Sequence, residues 1–477
     1  MLGIVVSRTD SASVHIGEHL LDVADWESIE DDTRPDAAGG GTVYETDGAQ
    51  LREFDDLHLD LERPAAAFDD PTLLVFASRH SGETGALLTA HHTGNFGPAD
   101  HGGEDNDLSQ ACPNAHAAVL ASLADHAPEG YEVGMECTHH GPTDVGAPSM
   151  FVEVGSAEPQ WDDPEAARAV ARAILDLRGI DPHRPAEIDD SDRPREADGS
   201  PDAPDDPTGG DEWGRRQLVG FGGGHYAPRF ERVVRETDWA VGHVAADWGL
   251  DALGDLDTPE CRAVLEAAFE ASDAAYALVD GDRPALGEAI AGLDYRAVSE
   301  TWVRETDGVD LGFVAAVEAD VLPVDEGLRF GDRARDADEV GEFAVVDLPA
   351  ALLDEVRGID RGATYDALVE TTLAFGTDQG GTRPTGPVVL ASKADREAVV
   401  AALLPILERR YDSVDRREDA VVARQREFVP ERARTLGVPE GPAFGRLADG
   451  EPVEVDGRTI PPDAVREERE RRFPLPE

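Results

Sequence analysis

The run Thr72-Leu-Leu-Val-Phe-Ala-Ser78 carries no charge and does not alternate polar with apolar side chains. A strand of this texture is buried on both faces, so it needs a packed layer above and below it. Gly3-Ile-Val-Val6, Ala86-Leu-Leu-Thr-Ala90, Val133-Gly-Met-Glu-Cys-Thr138 and Met150-Phe-Val-Glu-Val154 are further strand candidates. Ser7-Arg-Thr-Asp10 supplies a helix cap, and Ala166, Val170, Ile174 and Leu177 recur at helical spacing. Strands alternating with helices predict an α/β fold, a layered mixed sheet with flanking helices. At 477 residues the chain is long enough for two or three domains.

The stretch from Asp181 to Glu212 holds 12 acids, 3 Arg and 6 Pro, with almost no large apolar side chain. It is expected to be a disordered acidic insertion, because it has too little to bury. The α/β pattern resumes at Gln217-Leu-Val-Gly-Phe221, and Pro259 to Ser272 reads as an amphipathic helix. Residues 1–300 are therefore expected to form one domain, interrupted at 181–212. Residues 301–477 form a C-terminal extension, also α/β. Phe343–Leu348 and Pro387–Ser392 read as strands there, and Ala394 to Arg410 as a helix with Ser392 and Asp395 at capping-box spacing. An arginine-rich region follows, from Arg409 to Arg434. It reads equally as a solvated face laced with ion pairs.

With 42 Lys+Arg against 100 Asp+Glu the formal charge is −58, and a single Lys, Lys393, stands among the basic residues. This is the pattern of a protein built for molar salt, where the Debye length is about 3 Å and self-repulsion is screened. Net charge here does not exclude an RNA substrate. No stretch approaches the roughly 20 apolar residues of a membrane helix, and the first residues show no basic leader. Three cysteines cannot build a disulfide framework and suit a reducing cytosol.

Eight of the 14 histidines lie between residues 80 and 140, a zone with no Lys or Arg. Such a zone suits a metal or acid–base site better than a phosphate patch. It contains Ser78-Arg-His-Ser-Gly-Glu-Thr-Gly85, Leu87-Leu-Thr-Ala-His-His-Thr-Gly-Asn95 and Met135-Glu-Cys-Thr-His-His-Gly-Pro-Thr143. Adjacent residues on a strand face opposite sides, so one of His91 and His92 should reach a shared site, and His91 is the choice. His140 is taken over His139 only by its place beside Gly141-Pro142. Both serve if the segment is a loop. His80 and Glu83 follow a buried strand, where open α/β sheets carry ligands, though they also read as a surface ion pair. Cys137 is more often a small buried hydrophobe than a ligand. A fourth segment, Gly220-Phe-Gly-Gly-Gly-His-Tyr-Ala-Pro-Arg229, is a glycine-rich turn between a strand and a helix. It lacks the Lys-Ser/Thr of a P-loop. Its backbone N–H groups can approach an anion or an oxyanion, or it is a plain tight turn.

Taken in order, Ile4 to Ser13, Ser78 to Asn95, Met135 to Thr143 and Gly220 to Arg229 resemble the archaeal and plant D-aminoacyl-tRNA deacylase family. The resemblance implies a zinc-dependent monomer whose core is similar to peptidyl-tRNA hydrolase and purine nucleoside phosphorylase. It implies hydrolysis of the ester between a D-amino acid and the tRNA 3′ end. On this reading zinc is held by some of His80, His91, Glu136, His139 and His140. Glu83, with His80 and His140, supplies the catalytic groups. Gly222, Gly223, Gly224, His225, Thr93 and Asn95 line the substrate site, and Arg229 pairs with a phosphate. Leu436 to Gly450 and Val455 to Pro462 resemble a segment of the tRNA 3′-processing endonucleases of the metallo-β-lactamase superfamily. Their His-x-His-x-Asp-His zinc signature is absent, so the likeness, supported by the arginine-rich region before it, implies tRNA 3′-end contact and not nuclease activity. DNA and membranes are not expected partners. The rival readings are a peptidyl-tRNA hydrolase or other metal-dependent amidase or esterase, and a tRNA-binding protein without activity.

Overall fold

The structure is a computed structural model and describes residues 1–188, 212–337 and 341–475. The chain divides into two compact units, Met1–Asp307 and Gly308–Glu477. No helix among the described residues is long and apolar enough to cross a membrane.

In the first unit the chain runs β1 (Leu2–Ser7), α1 (Ser11–Val23), β2 (Glu27–Asp31), β3 (Gly41–Thr46), β4 (Ala49–Phe54), β5 (Leu73–Arg79), β6 (Leu87–His91), α2 (Pro113–His126), β7 (Glu132–Met135), β8 (Ser149–Gly155), α3 (Glu158–Trp161) and α4 (Pro164–Leu175). The eight strands form one mixed sheet in the order β2-β3-β4-β1-β5-β8-β6-β7. Its centre is parallel: β1 pairs with β4 and β5, and β5 with β8. Every residue of β1 and β8 is buried, as expected for strands covered on both faces. Asp10 caps α1 by accepting the N–H groups of Ala12 and Ser13 at 3.0 and 3.4 Å. Phe76 and Phe151 stack at 4.6 Å between β5 and β8. Burying each such ring stabilises the fold by about 1.5–3 kcal/mol. The meander β2–β3–β4 was not foreseen. Its outer strand is mostly exposed and carries Glu27, Glu30 and Asp31, so it has no apolar period to read.

The chain continues through β9 (Ala186–Ile188), β10 (Glu212–Arg215), β11 (Gln217–Phe221), α5 (Pro228–Glu236), β12 (Ala240–Ala245), α6 (Asp247–Leu253), α7 (Pro259–Ser272), β13 (Tyr276–Val279), α8 (Pro284–Ala291) and β14 (Arg296–Val298). Of the acidic stretch expected to be disordered, residues 189–211 lie outside the described residues. Their flanks β9 and β10 pair antiparallel. A second, parallel sheet has the order β12-β11-β13-β14. Phe221, Leu265 and Phe269 are fully buried beneath it. The two sheets are stitched together just past β7. Cys137 N–H donates to His225 O at 2.8 Å, Thr138 N–H to Val244 O at 2.9 Å, and Ala227 N–H to Met135 O at 2.9 Å. The strand expected over Val133–Thr138 therefore stops at Met135, because the next backbone groups are drawn to the second sheet.

The second unit holds a four-stranded antiparallel sheet (Leu328–Phe330, Ala374–Asp378, Arg383–Leu390, Ala344–Val346) and a three-stranded one (Ser413–Arg417, Ala420–Phe428, Arg466–Pro474). The helix Arg396–Glu408 packs Val400, Leu403 and Leu407 into the core. Much of its arginine-rich region is ion-paired: Arg416 with Glu397 at 2.7 Å, Arg424 with Glu470 at 3.1 Å, Arg432 with Glu467 at 3.5 Å and Arg434 with Glu440 at 2.6 Å.

Candidate active site

Five segments of the first unit deliver polar side chains to one place. β5 ends at Arg79 and hands on His80, β6 ends in His91, and β8 contributes Glu153 from mid-strand. The segment past β7 supplies Glu136, His139 and His140, and the turn after β11 supplies His225 and Tyr226. Adjacent residues on β6 do diverge: His91 enters this cluster, whereas His92 turns away and sets its Nδ1 3.1 Å from Gly242 O. His139 and His140 both enter it, because they lie in a loop, with His140 at φ +46°.

Three imidazoles are oriented alike. His91 Nδ1 lies 3.0 Å from His92 O, His139 Nδ1 2.9 Å from Cys137 O, and His140 Nδ1 2.8 Å from Gly141 O. A carbonyl only accepts, so each Nδ1 carries a proton and each Nε2 is the nitrogen left to take a second proton or a cation. One ring nitrogen from each of the three lies within 4.8 Å of the others. His91 Nε2 is buried with no hydrogen-bond partner. Backbone carbonyls that fix the tautomer in this way are the usual support of metal-ligating histidines.

A second group adjoins the first. Glu136 Oε2 lies 2.7 Å from His225 Nε2 and 3.7 Å from His139 Nε2, and Glu136 Oε1 lies 3.1 Å from His80 Nδ1. Glu153 stands between His80 Nδ1 at 3.6 Å and His91 Nε2 at 3.8 Å. His80 Nε2 meets the Tyr226 hydroxyl at 2.9 Å. Burial works against the charge on His80, but Glu136 and Glu153 outweigh it and raise its pKa to about 11. His91 is also raised, by Glu153 against burial. Burial and the neighbouring His91 hold His139 well below its usual value and His140 down at about 4. Two buried carboxylates thus create a field that holds positive charge here, and neutral imidazoles offer lone pairs beside it. The donor set fits a borderline-soft cation such as zinc. Of these groups His80, His139, His140, Glu153 and His225 line a cavity of about 620 Å³, with Asn95 and Trp248 in the same wall, while His91 and Glu136 lie buried behind it.

The profile of D-aminoacyl-tRNA deacylases matches residues 67–293. A D-aminoacyl-tRNA deacylase from Haloarcula marismortui is 58% identical over 477 residues, covering all of both chains. One from Natronomonas pharaonis is 51% identical, covering 99% of this chain and 100% of its own. The chain belongs to the D-aminoacyl-tRNA deacylase family. The crystal structure of a conserved protein of unknown function also superposes, with a TM-score of 0.51 and 28% identity, over 64% of this chain and 98% of that one. The acidic, lysine-poor composition accords with these haloarchaeal relatives.

In this member of the deacylase family the other candidate residues are spread more widely. Glu83 is exposed in the loop after His80 and does not line the cavity. The buried carboxylates near the histidines are Glu136 and Glu153 instead. Asn95 lines the cavity, and its Nδ2 donates to Gly102 O and Glu104 O at 3.0 and 3.1 Å. Thr93 is buried outside it, its hydroxyl 2.7 Å from that of Ser109. Gly222 has φ +100°, and a Cβ there would stand 2.5 Å from Asp280 O. Its N–H donates to Ala245 O at 2.8 Å, so it is not free for an oxyanion. Gly223 continues the turn at φ +84°, and Gly224 is exposed. Arg229 is held by Asp280 at 2.8 Å and Glu300 at 3.2 Å, so its charge is already met by two carboxylates of the protein. Glu153 was missed, although a lone acid inside the apolar run Met150–Val154 is itself a signal, since an unpaired carboxylate is not buried in a strand. Cys137 is buried with Sγ 4.0 Å from His225 Nδ1. Burial and Glu136 push its pKa up to about 12, so it stays a thiol.

Proposed function

We propose that this chain hydrolyses the ester joining a D-amino acid to the 3′ end of tRNA, releasing free tRNA and the D-amino acid. The observation that carries this reading is the three-histidine cluster at the wall of a 620 Å³ cavity, in a chain that matches deacylases from end to end. His91, His139 and His140 would hold zinc, with Glu136, His80 and His225 beside it. Bound there, zinc supplies a Lewis acid that polarises an ester carbonyl.

The chain's own residues do the rest. The Nδ1–carbonyl contacts fix the three rings before substrate arrives, so no reorganisation is needed in the transition state. Glu153, the one Glu lining the cavity among the described residues, takes the base role expected of Glu83 and accepts the proton of the attacking water at its carboxylate. An aminoacyl ester is already activated, so placing water and stabilising developing charge suffice. The parallel β1–β5–β8 core, flanked by helices, supports the proposed kinship with peptidyl-tRNA hydrolase and nucleoside phosphorylase cores. Three free, buried cysteines support a cytosolic setting.

The test is deacylation of matched D- and L-aminoacyl-tRNA in molar KCl. Release from the D-substrate with the L-substrate spared supports the reading. Equal release from both, or better cleavage of N-acylated aminoacyl-tRNA, assigns the pocket to a different hydrolase. A verified metal-free sample with undiminished turnover removes zinc from it.

A further inference from the structure

The cavity has a feature that ester hydrolysis does not use. Trp248 is 49% exposed and lines the cavity wall. Its indole makes no hydrogen bond and no ring contact among the described residues. Four other tryptophans have partners: Trp26 and Trp161 donate to backbone carbonyls, and Trp239 and Trp302 pack together in the core. Trp248 is held outward by its neighbours. Asp247 is tied to Arg283 at 2.7 Å, and Gly249 sits so close to buried Phe96 that a Cβ would stand 3.1 Å from the Phe96 Cβ. The helix thus presses Gly249 inward and presents the indole beside the cavity.

Among the described residues Arg79 is the only Arg or Lys in the cavity lining. Its guanidinium lies over the Trp161 ring at 5.1 Å, and Trp161 is pinned by its Nε1–H to His80 O at 3.0 Å. Its backbone N–H is bonded to Asp10 at 3.2 Å. No carboxylate forms an ion pair with the Arg79 guanidinium among the described residues, in contrast to Arg229. A stacked guanidinium with no ion-pair partner, in a cavity whose other charged side chains are Asp10, Asp100, Glu153 and histidines, is suited to one phosphodiester. A free indole is suited to one base face.

We propose that Trp248 and Arg79 grip the terminal nucleotide of the acylated RNA, the indole stacking on its base and the guanidinium taking its phosphate. This rests on the deacylase reading and names what that site uses to place the ester. In molar salt long-range attraction is screened, so close contacts of this kind must supply the positioning.

The test compares three esters of one D-amino acid, D-tyrosine, in molar KCl: the tRNA ester, the adenosine ester and the ethyl ester. In W248A the ratio of kcat/KM for the adenosine ester to that for the ethyl ester is expected to fall about ten-fold, and W248F to keep most of it. In R79Q the ratio for tRNA to adenosine is expected to fall about ten-fold, with partial recovery in R79K. W248L serves should W248A fail to fold. Ratios that stay at the wild-type values, or a uniform loss on all three esters, overturn the proposal while leaving the deacylase reading intact. A wild-type protein that cleaves none of the three overturns the deacylase reading itself.

Discussion

Glu153 Oε1 lies 3.8 Å from His91 Nε2, across two antiparallel neighbours, β8 and β6, toward the β7 edge of the large sheet. Burial alone would raise the pKa of this carboxyl, yet His80 and His91 bring it below its usual value. Glu153 is therefore held in its charged form inside a buried strand, where it faces the rings of His80 and His91. E153Q keeps the shape and removes the charge. Retention of zinc against a chelator should weaken about 10- to 100-fold, with kcat/KM falling alongside. E83Q, at an exposed position, should change either quantity by no more than about two-fold. An E83Q enzyme as impaired as E153Q would return the base role to Glu83.

The three like-oriented imidazoles lead to a sharper expectation. H91N, H139N and H140N each remove one lone pair from the cluster. Each should lower the zinc content measured by elemental analysis and cut turnover of D-tyrosyl-tRNA at least about a hundred-fold, the scale of Lewis-acid polarisation. H92N changes a ring that faces Gly242 O on the other side of β6, and it should leave zinc content unchanged. Loss of zinc in H92N with retention in H91N would reverse the assignment.

How much of this was readable beforehand depends on the kind of signal. Leu73–Arg79 and Ser149–Gly155 are buried strands whose apolar runs announce themselves. Pro259–Ser272 has a Thr258 cap that accepts the Cys261 N–H at 3.3 Å, and it spans the residues that periodicity indicates. The strand alternation at His91 and His92 separated the ring that enters the cluster from the ring that turns away, because it is a local rule. What local rules do not carry is the stitching of Cys137 and Thr138 to His225 and Val244. That contact ends β7 early, turns both His139 and His140 into the cluster and brings His225 to 2.7 Å from Glu136. Arg229 misled for the same reason, since its partners Asp280 and Glu300 come from segments far along the chain.

The arginines of the second unit make a separate case. Clustering between Arg409 and Arg434 suggested contact with the tRNA 3′ end, yet Arg416, Arg424 and Arg434 already face Glu397, Glu470 and Glu440. Exposed pairs of this kind add little to stability and offer little net field to a polyanion. R416Q and R424Q are expected to leave KM for D-aminoacyl-tRNA within about two-fold of wild type, read in the deacylation assay. A KM that rises by an order of magnitude would show that these pairs open to RNA.

Acid should destabilise the first unit through a histidine that lies apart from the cavity. His243 on β12 is fully buried, with Nδ1 3.0 Å from the Thr138 hydroxyl and Nε2 2.8 Å from Ser109 O. The carbonyl takes the Nε2 proton and the hydroxyl donates to Nδ1, so the ring is satisfied only when neutral. Burial lowers its pKa from 6.5 to about 4. The unfolded chain binds this proton below pH 6.5 and the folded chain does not, so its contribution is fully present above that pH. It is lost as pH falls from 6.5 to about 4, by about 3 kcal/mol in all. Denaturant unfolding at pH 7 and pH 5 in constant molar KCl measures it. The wild type should lose stability between the two, and H243Q, already weaker at pH 7, should lose measurably less. An equal acid-induced loss in both proteins would assign the effect to other groups and leave His243 without a share in it.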